Sequence, residues 1–322
     1  MRVLFVWTGV TSYMAGCWRA LQALPGVGLH IVIEPVASGR EFDAKTVLEG
    51  LDYEFADAAS VDPDALSFVP DVIFAVGWRS RVVRAYVGRC PSVPKVCVFD
   101  MPWRNSLRCV AARFVLWGYL RNFAAAYVPG ARAARYAKWL GFRRIEKGLF
   151  AIDVARFAAA AEVPRRGFCY VGRLSGEKRV DLVLDAYRRY RAMGGTAPLD
   201  IYGGEGESSS EGVSYRGFLQ PEAIPGVFRS HVALLLASAF DPWPLVVLEA
   251  KAAGCAAIVS DRCGNAAELG ASAVPYGDAS AMAAAMLALE RGELPSAPAD
   301  LSPYSAGAWA ARTLALAEEV VR

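Results

Sequence analysis

Histidine is almost absent: His30 and His231 are the only two in 322 residues, and each borders an apolar run. That scarcity argues against a His-centred zinc site or a His-based catalytic triad, and no metal is expected. The seven cysteines (Cys17, Cys90, Cys97, Cys109, Cys169, Cys255 and Cys263) are odd in number and scattered, with no CxxC pair. A disulfide framework or thiolate metal site would need regular pairing, so reduced thiols in the cytoplasm are the expectation. Net charge is small, +3 from 35 Lys and Arg against 32 Asp and Glu, and gives no indication of a nucleic-acid partner. No repeat of solenoid period is present.

Long hydrophobic runs are also missing. Apart from the start, no uncharged run approaches the roughly 18 to 20 residues of a membrane span. The start, Arg2 followed by an uncharged stretch from Val3 to Trp18 and ending Met14-Ala15-Gly16-Cys17, has some features of a bacterial lipoprotein signal. Thr8, Gly9, Thr11, Ser12 and Tyr13 interrupt its apolar core, so it reads better as a first strand and turn. The turn after that strand, Thr8-Gly9-Val10-Thr11, lacks GxGxxG, which argues against a nicotinamide or flavin oxidoreductase.

What is present is apolar and alternating. Hydrophobic residues make up 55% of the chain, far too many for disorder, and the length suits two domains with substantial cores. Short β-branched or aromatic runs alternate with longer segments of helical period, the pattern of βαβ units and a parallel sheet. Strands are predicted at Val3 to Trp7, Leu29 to Ile33, Val72 to Val76, Lys95 to Phe99 and Ala124 to Val128. Helices fit Tyr13 to Leu24, Arg79 to Val87, Asn105 to Arg121 and Ala131 to Leu140.

Periodicity lapses over Ala158 to Arg166, and a second series begins at Gly167 to Val171. Its further strands are predicted at Leu199 to Tyr202, Val213 to Tyr215, Val232 to Leu236, Ala256 to Val259 and Ala273 to Val274. Its helices fit Val180 to Arg191, Glu222 to Arg229, Leu245 to Ala253 and Ser280 to Leu289. The division is therefore residues 1–160, residues 161–300 and a closing helix, residues 301–322, free to leave the second domain and pack on the first. Two Rossmann-like α/β domains are expected, with ligands at the carboxyl ends of their sheets.

Two segments carry chemistry. In Gly172-Arg173-Leu174-Ser175-Gly176-Glu177-Lys178 a strand ends in a glycine turn with two cations just before a helix, an arrangement suited to a diphosphate. An ordinary βα turn with solvated cations is the plain alternative. In Phe240-Asp241-Pro242-Trp243-Pro244-Leu245 through Glu249, one carboxylate lies on a proline-restricted loop and another about one turn into a helix, where it can accept ribose hydroxyls. The plain alternative makes Asp241 a helix cap and Glu249 a buried ion-pair partner.

Together these segments resemble the retaining glycosyltransferases of the GT-B fold, family 4. Gly172-Arg173-Leu174 with Lys178 looks like the family's diphosphate motif. Tyr215-Arg216-Gly217-Phe218-Leu219 resembles its base-binding turn, and Asp241 to Glu249 its paired-acid motif. Asp261 to Glu268, around Gly264, resembles a later turn. In the first half, Tyr127 to Gly130, Leu140 to Phe142 and Gly148 to Asp153 resemble a branch that builds bacterial surface polysaccharides.

The resemblance implies a GT-B fold, two Rossmann-like domains across a cleft, and sugar transfer from a UDP- or GDP-linked donor with no further cofactor. It implies a hydroxyl acceptor, a glycan or a lipid-linked one. Arg173 and Lys178 would hold the diphosphate, aided by the amides of Leu245 and Val246 and by close approach at Gly172. Glu249 would grip the ribose, Asp241 the donor sugar, Phe218 the base, and Gly9 would face the diphosphate. Departures are Asp241 where the family usually has Glu, Pro244 where it has Gly, and Phe99-Asp100 where a His is common. A non-catalytic binding protein of this fold and a nucleotide-sugar epimerase are the alternatives.

Charge is unevenly spread: +7 in residues 1–160 and −4 in the remainder. From Arg79 to Arg156 sixteen cations face three acids, and Trp103, Arg104, Arg108, Arg113, Phe114, Trp117, Tyr119, Arg121 and Phe123 interleave cations with rings. Residues 103–123 suit peripheral contact with an anionic membrane, at its inner face for a cytoplasmic enzyme. The plain alternative has the rings packed inward and the arginines solvated.

Overall fold

A computed structural model describes the chain except for residues 36–43, 58, 60, 61, 63–65, 105, 159–163, 207–210 and 295–299. It divides into two compact units, Met1–Asp153 with Ser302–Arg322, and Val154–Leu301. The expected boundary at residues 160 and 161 lies outside the described residues. The short helix before it belongs to the second unit.

In the first unit seven parallel strands form one sheet in the order β3-β2-β1-β4-β5-β6-β7. They are β1 (Arg2–Thr8), β2 (Gly28–Glu34), β3 (Tyr53–Phe55), β4 (Val72–Val76), β5 (Lys95–Val98), β6 (Ala125–Val128) and β7 (Ile145–Lys147). The central strand β1 is buried from Val3 through Trp7, as a parallel strand covered on both faces must be. Alternation assigns its side chains to opposite layers. Leu4 and Val6 pack into a cluster with Val82, Val83 and Tyr86 of helix α3 (Arg81–Arg89). Phe5 meets Trp18 of helix α1 (Ser12–Gln22) and Trp309 of the C-terminal helix.

That C-terminal helix spans Ala306–Val321, later than the start predicted at residue 301; Ser302–Tyr304 form a 3-10 turn and Ser305 caps the helix. It packs against α1, β4 and β5 of the first unit. The Trp309 indole donates to the Leu149 carbonyl at 2.7 Å, and Ile152 pairs with Ser305. The helix predicted over Asn105 to Arg121 is two helices, α4 (Leu107–Val115) and α5 (Trp117–Leu120), with Leu116 between them; Asn105 lies outside the described residues.

The second unit holds six parallel strands in the order β10-β9-β8-β11-β12-β13. These are β8 (Phe168–Val171), β9 (Leu199–Tyr202), β10 (Val213–Tyr215), β11 (Ala233–Leu236), β12 (Ala256–Ser260) and β13 (Ser272–Val274). Helix α8 (Val180–Ala192) packs with α11 (Ala279–Glu290), while α10 (Leu245–Ala252) packs with α9 (Ile224–Ser230) and α7 (Val154–Ala158). Strand order reverses between β8 and β11, so the chain leaves their carboxyl ends toward different helix layers, the position at which open α/β sheets bind ligands. Both histidines are structural: His30 meets Asp52 at 2.9 Å, and His231 meets Asp200 at 3.2 Å. All seven cysteines are free.

Candidate donor site

At the carboxyl end of β8 the chain turns through Gly172 to Lys178 and enters α8. At the end of the neighbouring β11 it runs through Phe240 and Asp241 into α10. The two carboxyl-end segments are joined by a backbone bond from Ala239 to the Glu177 carbonyl, 2.8 Å, and by an ion pair between Lys178 and Asp241. Both side chains of that pair are largely shielded from water. Asp241 therefore caps no helix, and its nearest charge is the ammonium of the diphosphate-like turn. Residues 63 apart in sequence meet because β8 and β11 are adjacent.

The turn is held from below. The Tyr170 hydroxyl donates to the Arg173 carbonyl at 2.7 Å, and burial raises that phenol's pKa, so it stays a donor. Arg173 itself is exposed and makes no ion pair among the described residues. The Ser175 hydroxyl is buried without a protein partner, an unmet capacity within the turn. Gly172 must be close to Gly203, where φ is +122° and a Cβ would stand 1.9 Å from the Gly172 carbonyl oxygen. Arg179, the residue after Lys178, is the one non-glycine residue with positive φ among those described, at 51°. Its side chain is fixed by Asp181 and by the Tyr276 hydroxyl at 2.5 Å, which offsets that strain.

The Asp241 loop is held just as closely. Gly264 donates to the Asp241 carbonyl at 2.9 Å, and a Cβ on Gly264 would lie 1.7 Å from the Pro242 carbonyl oxygen. The fully buried Asn265 donates its side-chain amide to the Pro244 carbonyl at 2.9 Å, while its side-chain Oδ1 has no partner among the described residues. Pro244 starts α10, and no side chain caps that end, which leaves it to Leu245 and Val246. Glu249 lies in the second turn of the same helix. Burial raises its carboxyl to about 7, with Arg156 of α7 pulling the other way. Phe218 is 62% exposed after Gly217, whose φ is +72°. Gly217 accepts a bond from Gly203 at 2.8 Å, tying this turn to the Gly172 side.

The second unit thus joins the Gly172–Lys178 turn to the Asp241 loop through Lys178 and Asp241, and through Gly203 to the turn that carries Phe218, while Leu245, Val246 and Glu249 follow that loop on α10. Gly9 belongs to the first unit, where its amide is already bonded to the Glu34 carbonyl at 2.9 Å. Ser175 and Asn265 were given no role by the sequence. Neither falls at a periodic position, and only an unmet polar atom in a folded chain marks them.

The first unit has its own cavity of about 330 Å³ at the reversal of its strand order, between the ends of β1 and β4. Trp7, Tyr13, Trp78 and Phe99 line it with Arg79 and Asp100. The Phe99-Asp100 step is split: Phe99 is buried against Trp78, and Asp100 is exposed at the wall.

Residues 165–291 match the family model described as Glycosyl transferases group 1. No curated protein matches the chain by sequence. Several solved structures match nearly its whole length. The apo lipopolysaccharide outer core galactosyltransferase WaaB is 15% identical, with a TM-score of 0.72 and 98% of each chain covered. HepE of Anabaena, in complex with UDP and glucose, is 13% identical at a TM-score of 0.67, covering 100% of this chain and 95% of its own. A trehalose-6-phosphate synthase analysed for glycosyl transfer with retention is 13% identical at 0.69, with 99% of each covered. Residues 165–291 therefore match a Glycosyl transferases group 1 domain, and the chain shares the GT-B fold of these structures.

Proposed function

We propose that this is a retaining enzyme of the family 4 type, which moves a sugar from a UDP- or GDP-linked donor to a hydroxyl acceptor in bacterial polysaccharide or glycoconjugate assembly. The observation that carries the reading is the β8–β11 reversal, where Arg173 is exposed with no ion pair among the described residues, Lys178 is held by Asp241, and the start of α10 has no side-chain cap among the described residues. Cations on one carboxyl-end segment and free helix amides on the neighbouring one suit a diphosphate. The buried Ser175 hydroxyl gains a partner when a phosphate oxygen arrives.

In this reading Glu249 accepts the ribose hydroxyls and Phe218 lies beside the base. Asp241 holds Lys178 in place and accepts hydroxyls of the donor sugar. The aromatic cavity of the first unit seats the acceptor, a glycan or lipid-linked glycan, since flat rings suit the apolar faces of sugars. The bond between the anomeric carbon and the β-phosphate oxygen breaks as the acceptor oxygen bonds on the same face. The acceptor proton passes to a phosphate oxygen, and the departing charge is met by Arg173, Lys178 and the α10 amides. The free thiols agree with a cytoplasmic site of action.

The test is release of nucleoside diphosphate from UDP- and GDP-sugars, with and without a polysaccharide-repeat acceptor, with the product anomer read by NMR. Acceptor-dependent release with the donor's configuration kept supports the proposal. Tight nucleotide binding without turnover on any acceptor favours a binding protein, and conversion of one nucleotide sugar into another favours an epimerase.

A further inference from the structure

The helix pair α4–α5 has two apolar stripes where a surface helix normally has one. Cys109 and Leu120 are buried in the first unit's core, and Ala112, Leu116 and Tyr119 pack against it. Tyr119 also anchors the pair, its hydroxyl donating to the Gly77 carbonyl at 3.1 Å. On the other side Leu107 is 88% exposed, Val115 79%, Phe114 73% and Trp117 62%, with Val110 at the margin. These are half of the large hydrophobic side chains exposed among the described residues, gathered in eleven consecutive positions. Water gives no reason for such a patch.

The charge around it is of one sign. From Met101 to Ile145 the chain carries nine Lys and Arg and no Asp or Glu. Arg108 and Arg121 are exposed within the patch, and Arg121 lies over the Trp117 ring at 5.0 Å. The rings do not all face outward. Trp103 packs edge-on to Trp139, and Phe123 is buried, so the sequence pattern of alternating rings and cations overstates the aromatic content of the surface and misses its aliphatic part.

We infer that this face docks on an anionic lipid bilayer. A second copy of the chain would bring like charges together. A nucleic acid would meet the cations but gain nothing from Leu107, Val110 and Val115. A bilayer carrying acidic headgroups takes both, with aliphatic chains and an indole at the headgroup level and guanidinium groups on the phosphates. The patch also continues into the site. The chain that enters α4 comes from Phe99, Asp100 and Met101, which line the first unit's cavity, and Tyr119 is bonded to Gly77 in that same wall. Docking through α4–α5 therefore brings the cavity near the headgroups. The proposal stands on this surface alone and does not depend on which donor, if any, the second unit binds.

The test is co-sedimentation of the full chain with vesicles of phosphatidylcholine containing phosphatidylglycerol, and with vesicles of phosphatidylcholine alone. Binding to the anionic vesicles is expected, weakened by salt, and reduced about tenfold both by Arg108→Gln with Arg121→Gln and by Phe114→Ser with Trp117→Ser. Both variants keep the wild-type melting temperature and nucleotide stabilisation, since none of the four side chains is buried. No sedimentation with anionic vesicles, or equal sedimentation with both kinds, overturns the proposal. So does a dimer in lipid-free solution that Phe114→Ser with Trp117→Ser dissolves, or tighter binding to an RNA oligonucleotide than to the anionic vesicles.

Discussion

At the scale of single residues the two cations of the turn after β8, proposed to bind the donor, differ in what they are tied to. Arg173 is exposed and makes no ion pair among the described residues, so Arg173→Ala is expected to change stability by less than about 0.5 kcal/mol while lowering turnover about a hundredfold. Chemical denaturation and steady-state kinetics on one preparation check this. Lys178 is shielded and paired, so Lys178→Ala is expected to lower both turnover and stability, the latter by about 2 kcal/mol, because the Asp241 carboxylate is left without its partner.

Glu249 adds a pH dependence. Its carboxyl is raised from an ordinary 4.5 to about 7, so over that interval the folded chain keeps a proton that the unfolded chain has lost. Its contribution to stability is thus greatest below about pH 4.5, falls as pH rises, and levels off above about 7. Glu249→Gln is expected to remove this fall, leaving the variant more stable than wild type at pH 8 by about 2 kcal/mol, a discounted figure because the side chain keeps some contact with water. Melting curves across pH check it. If the ionised form grips the ribose, nucleotide affinity rises through the same interval in wild type and is flat in Glu249→Gln.

At the scale of elements, the strands and the turn motif were legible because local pattern decides them. The Val72 to Val76 run is buried through Ala75 in a parallel sheet, and the glycine turn after β8 sits between a buried strand and an amphipathic helix. The short edge strands β3 and β7 were missed: each has three partly or fully exposed residues and gives no burial pattern. The pairing of Lys178 with Asp241 was also hidden, since the neighbouring positions of β8 and β11 are set by the order of the sheet and not by either segment. The close contact of the loops behind the site yields an element-scale prediction. Gly203→Ala forces a side chain into the Gly172 carbonyl at a left-handed φ and is expected to cost at least about 3 kcal/mol. Denaturation midpoints measure the loss, and nucleotide titration of the remaining folded protein is expected to show weakened binding because the displaced backbone carries Arg173.

At the scale of the whole molecule, the C-terminal helix completes the first unit although the second unit intervenes in sequence. The expectation that this segment could pack on the first domain came from its apolar face. Its partner was unreadable, because Trp309 meets Phe5 near the start of the chain and Tyr127 near its middle, contacts set by the order of the sheet. Trp309 is fully buried with its indole hydrogen-bonded, so Trp309→Ala is expected to destabilise the first unit by about 3 to 5 kcal/mol. Calorimetry is expected to show the first unit's transition moving down while that of the second holds. The 330 Å³ cavity belongs to the destabilised unit, and the proposed donor site to the other. The variant should therefore lose acceptor-dependent turnover before it loses nucleotide binding.

The most direct test is calorimetric titration of UDP and GDP into wild type, Arg173→Ala and Lys178→Ala. Binding of at least one nucleotide to wild type, weakened tenfold or more by each substitution while the variants remain folded, is the predicted result. Unchanged affinity in both variants, or no binding of either nucleotide to wild type, would contradict the assignment of the β8–β11 reversal as the diphosphate site.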